Sequence, residues 1–205
     1  MENCVFCDKS QFEERLCGET KDFWIIATLG QISNGGYLLL VPKRHVECIG
    51  AMTSKEAKLL DKLGVRVCDA LIQEYGDAPD IIMFEHGIVG QTIKHAHLHI
   101  VPGVQIIAKR IADDFPENDV SCIVSLSDFR NSLYGKRKEP YLLWGDLWGM
   151  KVCWNPPAPS QYLRIIVADA LGRPERANWR NMDPELDKKL WSETVKRLKP
   201  YFTSK

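Results

Sequence analysis

The stretch Gly90–Pro102, GQTIKHAHLHIVP, decides how the rest of this chain is read. It holds His95, His97 and His99, three of the five histidines among 205 residues, with Ala96, Leu98 and Ile100 alternating with them. Successive side chains of a strand point to opposite faces. The run therefore predicts three imidazoles about 6.6 Å apart on one face and an apolar row on the other. Three readings of the imidazole face are open. It could be the polar side of a half-buried strand, although Thr, Lys or Glu would serve that purpose more naturally. It could be a metal site, since His-x-His on a strand supplies two ligands. It could be a covalent catalyst, in which one imidazole attacks and its neighbours orient it.

Working outward, DFWIIATL (22–29) and GGYLLLVP (35–42) read as buried strands, with Gly and Asn between them. Thr53 and Glu56 predict a capping box. Leu60, Leu63, Val67 and Leu71 then repeat at helical spacing up to a stop at Gly76. DIIMFEHG (80–87) is a further strand, expected to pair antiparallel with the histidine strand. Together these make an α+β unit over roughly residues 1–105. In residues 106–205, DDFPENDV (113–120) reads as an acidic loop and GKRKEP (135–140) as a basic turn. YLLWGDLWGMKVCW (141–154) reads as a hairpin around Gly145–Gly149. Ser160 is placed to cap a helix ending at Gly172. Asp183-Pro184 opens a last helix with Leu186, Leu190, Val195 and Leu198 as its apolar stripe. This half is too apolar for a free tail and is expected to dock on the first half's sheet.

Lys plus Arg and Asp plus Glu both total 27, which argues against a general nucleic-acid or membrane surface. The polar start MENCVFCDKSQFEERLC predicts no signal peptide, and no apolar run reaches membrane-spanning length. Seven scattered cysteines in such a chain point to a reducing, cytoplasmic setting and to metal binding rather than disulfides. Cys4-x-x-Cys7 is half of a tetrahedral zinc site, or a redox pair. Six tryptophans, four of them between 144 and 179, read as core or interface.

The histidine run, the upstream VPKRH (41–45), the long helix and Gly90-Gln91 together closely resemble the signature of the histidine triad (HIT) family of nucleotidyl hydrolases and transferases. The resemblance covers about the first 105 residues; the second half is similar to extensions of longer bacterial members. It implies a HIT-like antiparallel sheet with a long helix, followed by an α/β extension packed on it. It also implies that His97 attacks the α-phosphorus of a nucleoside 5′-phosphate derivative, such as a dinucleoside polyphosphate or a nucleoside phosphoramidate. A covalent nucleotidyl-histidine would then pass to water. The same resemblance makes His99 and Gln91 substrate contacts. It makes Cys4, Cys7, His45 and His95 the ligands of a structural Zn²⁺. A nucleotidyl transferase or phosphorylase would use the same intermediate. A nucleotide-binding regulatory module is the alternative from another class, although binding alone does not require the middle histidine. The partner implied is a small-molecule nucleotide, without membrane or nucleic acid, and homodimers are common among members.

Departures from the family pattern carry expectations of their own. Leu29 stands where a ribose-gripping polar residue is often found, so Gln31 or Asn34 could substitute for it. His86 is either a further phosphate or leaving-group contact or a loop histidine, and a pH-sensitive pair with Glu85 is conceivable. In the second half, Arg164, Arg173 and Arg180 are the guanidinium candidates for phosphate.

Overall fold

Thr53 and Glu56 exchange the hydrogen bonds of a capping box at the head of α1 (Ser54–Tyr75), and Gly76 ends the helix at positive φ. This computed structural model describes residues 4–76, 80–103 and 107–203; the expected boundary at 105 lies outside the described residues. Among the described residues eight strands are formed: β1 (Leu16–Glu19), β2 (Phe23–Ala27), β3 (Leu38–Pro42), β4 (Ile81–Gly87), β5 (Leu98–Pro102), β6 (Val120–Ile123), β7 (Tyr141–Gly145) and β8 (Met150–Trp154). They make one sheet of order β1-β2-β3-β5-β4-β7-β8-β6, antiparallel throughout. The remaining α-helices among the described residues are α2 (Ala108–Asp114), the short turns α3 (Leu126–Asp128) and α4 (Gly135–Arg137), then α5 (Tyr162–Ala170) and α6 (Pro184–Phe202).

The strand period gives this sheet two unlike faces. On one, Leu38, Leu40, Leu98 and Ile100 cluster with Leu60, Leu63, Val67 and Leu71 of α1. On the other, Leu39, Phe84 and Val101 pack with Leu163, Ile166 and Val167 of α5. Each such aliphatic side chain contributes about 1.5–3 kcal/mol on burial, so both faces need a helical cover. β7 pairs with β4 from Met83↔Gly145 to Gly87↔Tyr141, and residues from both halves thereby share one sheet. The face that carries His97 and His99 is the one roofed by α5.

Four local expectations change. The ladder of β5 begins only at Leu98, so His95 and His97 precede the paired strand. The Ala96 N–H bonds Val46 O at 2.7 Å rather than a group of β3. On α6 the buried positions are Asp187, Thr194, Leu198 and Phe202, whereas Leu186 is exposed. The buried polar pair has a purpose. The Asp187 carboxylate accepts the N–H groups of Gly30 and Gln31, both at 3.0 Å, and Thr194 Oγ1 accepts that of Gly36 at 2.9 Å. α6 thereby latches the β2–β3 loop. α5 begins at Tyr162 behind a left-handed Gln161, with no side-chain cap from Ser160. The Leu163 N–H in its first turn is taken by His86 Nε2 at 3.0 Å, so an imidazole from β4 does the capping. Finally, α4 forms the first part of the expected basic turn, preceded by a π-helical segment (Phe129–Tyr134), while α2 and β6 border the acidic one.

Candidate active site and metal centre

His97 Nδ1 lies 2.6 Å from the backbone oxygen of His95. A carbonyl only accepts, so the proton sits on Nδ1 and the lone pair on Nε2. Burial pushes this imidazole down to about 4, against the carbonyl bond, which acts the other way. It is therefore neutral near pH 7. Beside it opens a cavity of about 290 Å³, with His86, His97, His99 and Arg164 among its polar walls. Phe6, Leu29, Leu39, Ile93 and Trp179 give it apolar ones.

His99 stacks on Phe84, with ring centroids 4.3 Å apart and planes at 8°. Its Nδ1 is 2.6 Å from Tyr37 Oη, and its Nε2 is buried without a hydrogen-bond partner among the described residues. Burial, with the neighbouring His97, His86 and Arg164, holds its pKa well below the usual histidine value. The guanidinium of Arg164 comes from α5 and is itself buried. Nη1 donates to Tyr37 Oη at 2.9 Å, Nη2 to Gly30 O at 2.9 Å and Nε to Ala177 O at 3.2 Å. Among the described residues no carboxylate lies within ion-pair distance of it. His86, whose Nε2 caps α5, is pushed to about 3 by burial and then by the nearby His97 and Arg164.

Other candidates sit elsewhere. Glu85 points to the opposite face, where its carboxyl accepts the Ile49 N–H at 2.8 Å and the Tyr141 hydroxyl at 2.5 Å. Burial raises it to about 8, and it forms no pair with His86. Gln91 is not a cavity-lining residue: its Nε2 donates to Glu47 O at 2.8 Å and His95 O at 3.3 Å. It thus buttresses the same carbonyl that receives His97. Gln31 is spent inside the β2–β3 loop, bonding Thr28 O and Tyr37 O, and Asn34 Oδ1 accepts from Arg176. Arg180 is an exposed lining residue, whereas Arg173 is bonded to Ile32 O outside the lining.

The second constellation lies on the other side of His95. Cys4, Cys7, His45 and His95 each aim one ligand atom at a common point, all four atoms within 4.8 Å of one another. Cys4 Sγ is 3.3 Å and Cys7 Sγ 3.6 Å from His95 Nδ1, and Cys7 Sγ is 3.4 Å from His45 Nδ1. A tetrahedral ion with bonds of about 2.3 Å to sulfur and 2.05 Å to nitrogen would set such S···N edges at about 3.6 Å. His95 Nε2 meets Pro42 O at 2.8 Å, so it carries the proton and leaves Nδ1 free to bind. The donor set and its spacing fit a metal ion of the zinc type.

Sequence reading did not single out Tyr37, which bonds His99 and Arg164 beside the cavity, or lining residues such as Phe6, Thr28, Ile93 and Trp179. A lone Tyr at a strand entrance and a Trp in a loop carry no local pattern, and both matter only through long-range packing. The family described as scavenger mRNA decapping enzyme C-term binding has a model that matches residues 3–107. Protein hit of Bacillus subtilis is 27% identical over 133 residues, covering 60% of this chain and 91% of its own. An uncharacterized HIT-like protein of Methanocaldococcus jannaschii is 30% identical over 101 residues, covering 48% of this chain and 78% of that one. Among solved structures, a HIT family protein from Bacillus anthracis is similar at 27% identity and a TM-score of 0.43, over 49% of this chain and 73% of its own.

Proposed function

Because the chain belongs to the histidine triad family, we propose that it is a nucleotidyl hydrolase acting at the α-phosphate of nucleoside 5′-phosphate derivatives through His97. The observation that carries this reading is the bond from His97 Nδ1–H to His95 O, which leaves a neutral imidazole with its lone pair on Nε2 in a walled cavity. That lone pair attacks phosphorus, a P–N bond forms, and the bond to the leaving group breaks with its electron pair. Water then adds to phosphorus, the P–N bond breaks, and His97 returns to its starting state with release of the nucleoside monophosphate and a proton. His99 and Arg164 supply the polar wall against which the phosphoryl oxygens lie, and the apolar wall takes the nucleoside. Thr28 and Leu29, not Gln31 or Asn34, are the β2–β3 loop residues next to it.

Cys4, Cys7, His45 and His95 would hold a zinc ion here, which ties three distant segments together as a structural cross-link. His95 is thereby kept out of the reaction, and its backbone oxygen still orients His97. No helix among the described residues is long and apolar enough to cross a membrane, and we place the protein in the cytoplasm with a small-molecule nucleotide as its partner.

A single-turnover reaction with a labelled nucleoside phosphoramidate, quenched at alkaline pH, tests the reading by intact mass. The wild type should carry one nucleotidyl group, and His97→Ala should carry none and lose several orders of magnitude in turnover while still binding nucleotide. Near-normal turnover by His97→Ala would end the mechanism. Adding inorganic phosphate separates hydrolysis from transfer, because a phosphorylase would release a nucleoside diphosphate.

A further inference from the structure

The hydrogen bonds that α5 makes fix more than its own position. A guanidinium has donors only, so the Arg164 Nη1–H bond at 2.9 Å uses a lone pair of Tyr37 Oη. The single phenolic hydrogen must then go to the other neighbour. Among the described residues that neighbour is His99 Nδ1, at 2.6 Å. Nδ1 of His99 is therefore the acceptor, and its ring proton is on Nε2, the buried atom that has no partner. The same reasoning applies to His86. The Leu163 amide can only donate, so His86 Nε2 accepts at 3.0 Å and the proton sits on Nδ1 of a ring that lines the cavity. Burial keeps both rings in their singly protonated form.

We propose that α5 sets the ring proton of His86 and of His99, so that each turns an N–H donor toward a phosphoryl group bound beside His97, with Arg164 as the positioning residue for His99. This rests on the reaction proposed above, since it names the groups that receive the phosphoryl oxygens. The three imidazoles are then unlike by construction: His97 presents a lone pair, and the two others present N–H groups. An anion is the chemistry that suits this set, because two neutral imidazoles and a buried guanidinium with no carboxylate partner among the described residues line one cavity. Arg164 acts through Tyr37 and supplies the positive charge that draws the phenolic hydrogen toward the imidazole.

Tautomers are read directly by long-range ¹H–¹⁵N correlation on the full-length protein labelled at histidine, without substrate. The expected pattern is Nδ1–H for His86 and His97 and Nε2–H for His99. Tyr37→Phe keeps the ring and the guanidinium but removes the relay. It should convert His99 to a tautomer mixture and lower kcat about ten- to hundred-fold with little change in KM. Arg164→Met should do the same if it folds, but it also forfeits bonds to Gly30 and Ala177, so Tyr37→Phe decides. Finding His99 with its proton on Nδ1 in the wild type overturns the proposal, as does an unchanged tautomer and kcat in Tyr37→Phe. The spectrum is independent of turnover. The expected tautomers with no nucleotidyl adduct would sink the hydrolase reading alone, and an adduct with the wrong His99 tautomer would sink this inference alone.

Discussion

Replacing Gly30 by alanine tests how closely the second half is built into the cavity. Gly30 has φ +69°, and a Cβ there would lie 2.7 Å from Trp179 Cα and 2.8 Å from Arg164 Nη2. The left-handed conformation alone costs an alanine roughly 1–2 kcal/mol. Crowding adds about 1–3 kcal/mol, at the upper end here because Trp179 Cα is backbone and cannot rotate away. Gly172 supplies the control: its φ is +68°, yet a Cβ there meets nothing within 4 Å. Gly172→Ala should therefore show only the backbone cost. For a chain of this size about 1 kcal/mol moves Tm by roughly 2–4 °C, so Gly30→Ala should melt about 6–12 °C below Gly172→Ala. Turnover should also fall in Gly30→Ala alone, because the clash displaces the guanidinium that holds Tyr37. The assay is a pair of thermal melts with steady-state rates on one nucleoside phosphoramidate. Equal melting temperatures and equal rates for the two variants would refute the close approach of Trp179 and Arg164 to the β2–β3 loop.

Three other outcomes are expected. Purified protein should carry about one equivalent of zinc by elemental analysis, and Cys4→Ser should lose it together with several degrees of Tm; metal-free protein of full stability would contradict this. The Glu85 carboxyl has a folded pKa of about 8 against an ordinary 4.5, so its contribution is complete below about pH 4.5 and is lost as pH rises through about 8. Chemical denaturation should thus show wild-type stability falling across that window by on the order of a few kcal/mol, and Glu85→Gln should flatten the fall. Asp187→Ala leaves the N–H groups of Gly30 and Gln31 buried without a partner and should cost about 2–4 kcal/mol in urea unfolding; a loss below about 0.5 kcal/mol would mean that α6 does not latch the loop.

What the sequence discloses here depends on how local the cause is. α1 is readable because Thr53, Glu56 and the Leu60–Leu71 repeat act within a few turns. The histidine alternation is readable for the same reason, and Ala96, Leu98 and Ile100 do face α1. That the ladder starts only at Leu98 is not readable, because the Ala96 N–H finds its acceptor at Val46, 50 residues away, rather than on β3. α6 misleads a search for apolar periodicity: its stripe is interrupted by Asp187 and Thr194, whose partners are backbone groups 156–158 residues away. Ser160 looks like a helix cap, yet the cap comes from His86, 77 residues distant from Leu163. β1 and β6, at four residues each, fall at the two sheet edges, where short strands leave little pattern.

The latch made by α6 also orders events in time. During synthesis the triad, the cysteine pair and α1 leave the ribosome long before Arg164, Trp179 and Asp187 do. A nascent chain ending before α5 would have the imidazoles but neither the roof over them nor the carboxylate that pins the β2–β3 loop. Its His86 and His99 would stand in water, without Leu163 and Arg164 to choose where their protons sit. On the reaction proposed above, such a chain would lack the contacts that set these protons until α5 and α6 had folded onto the sheet.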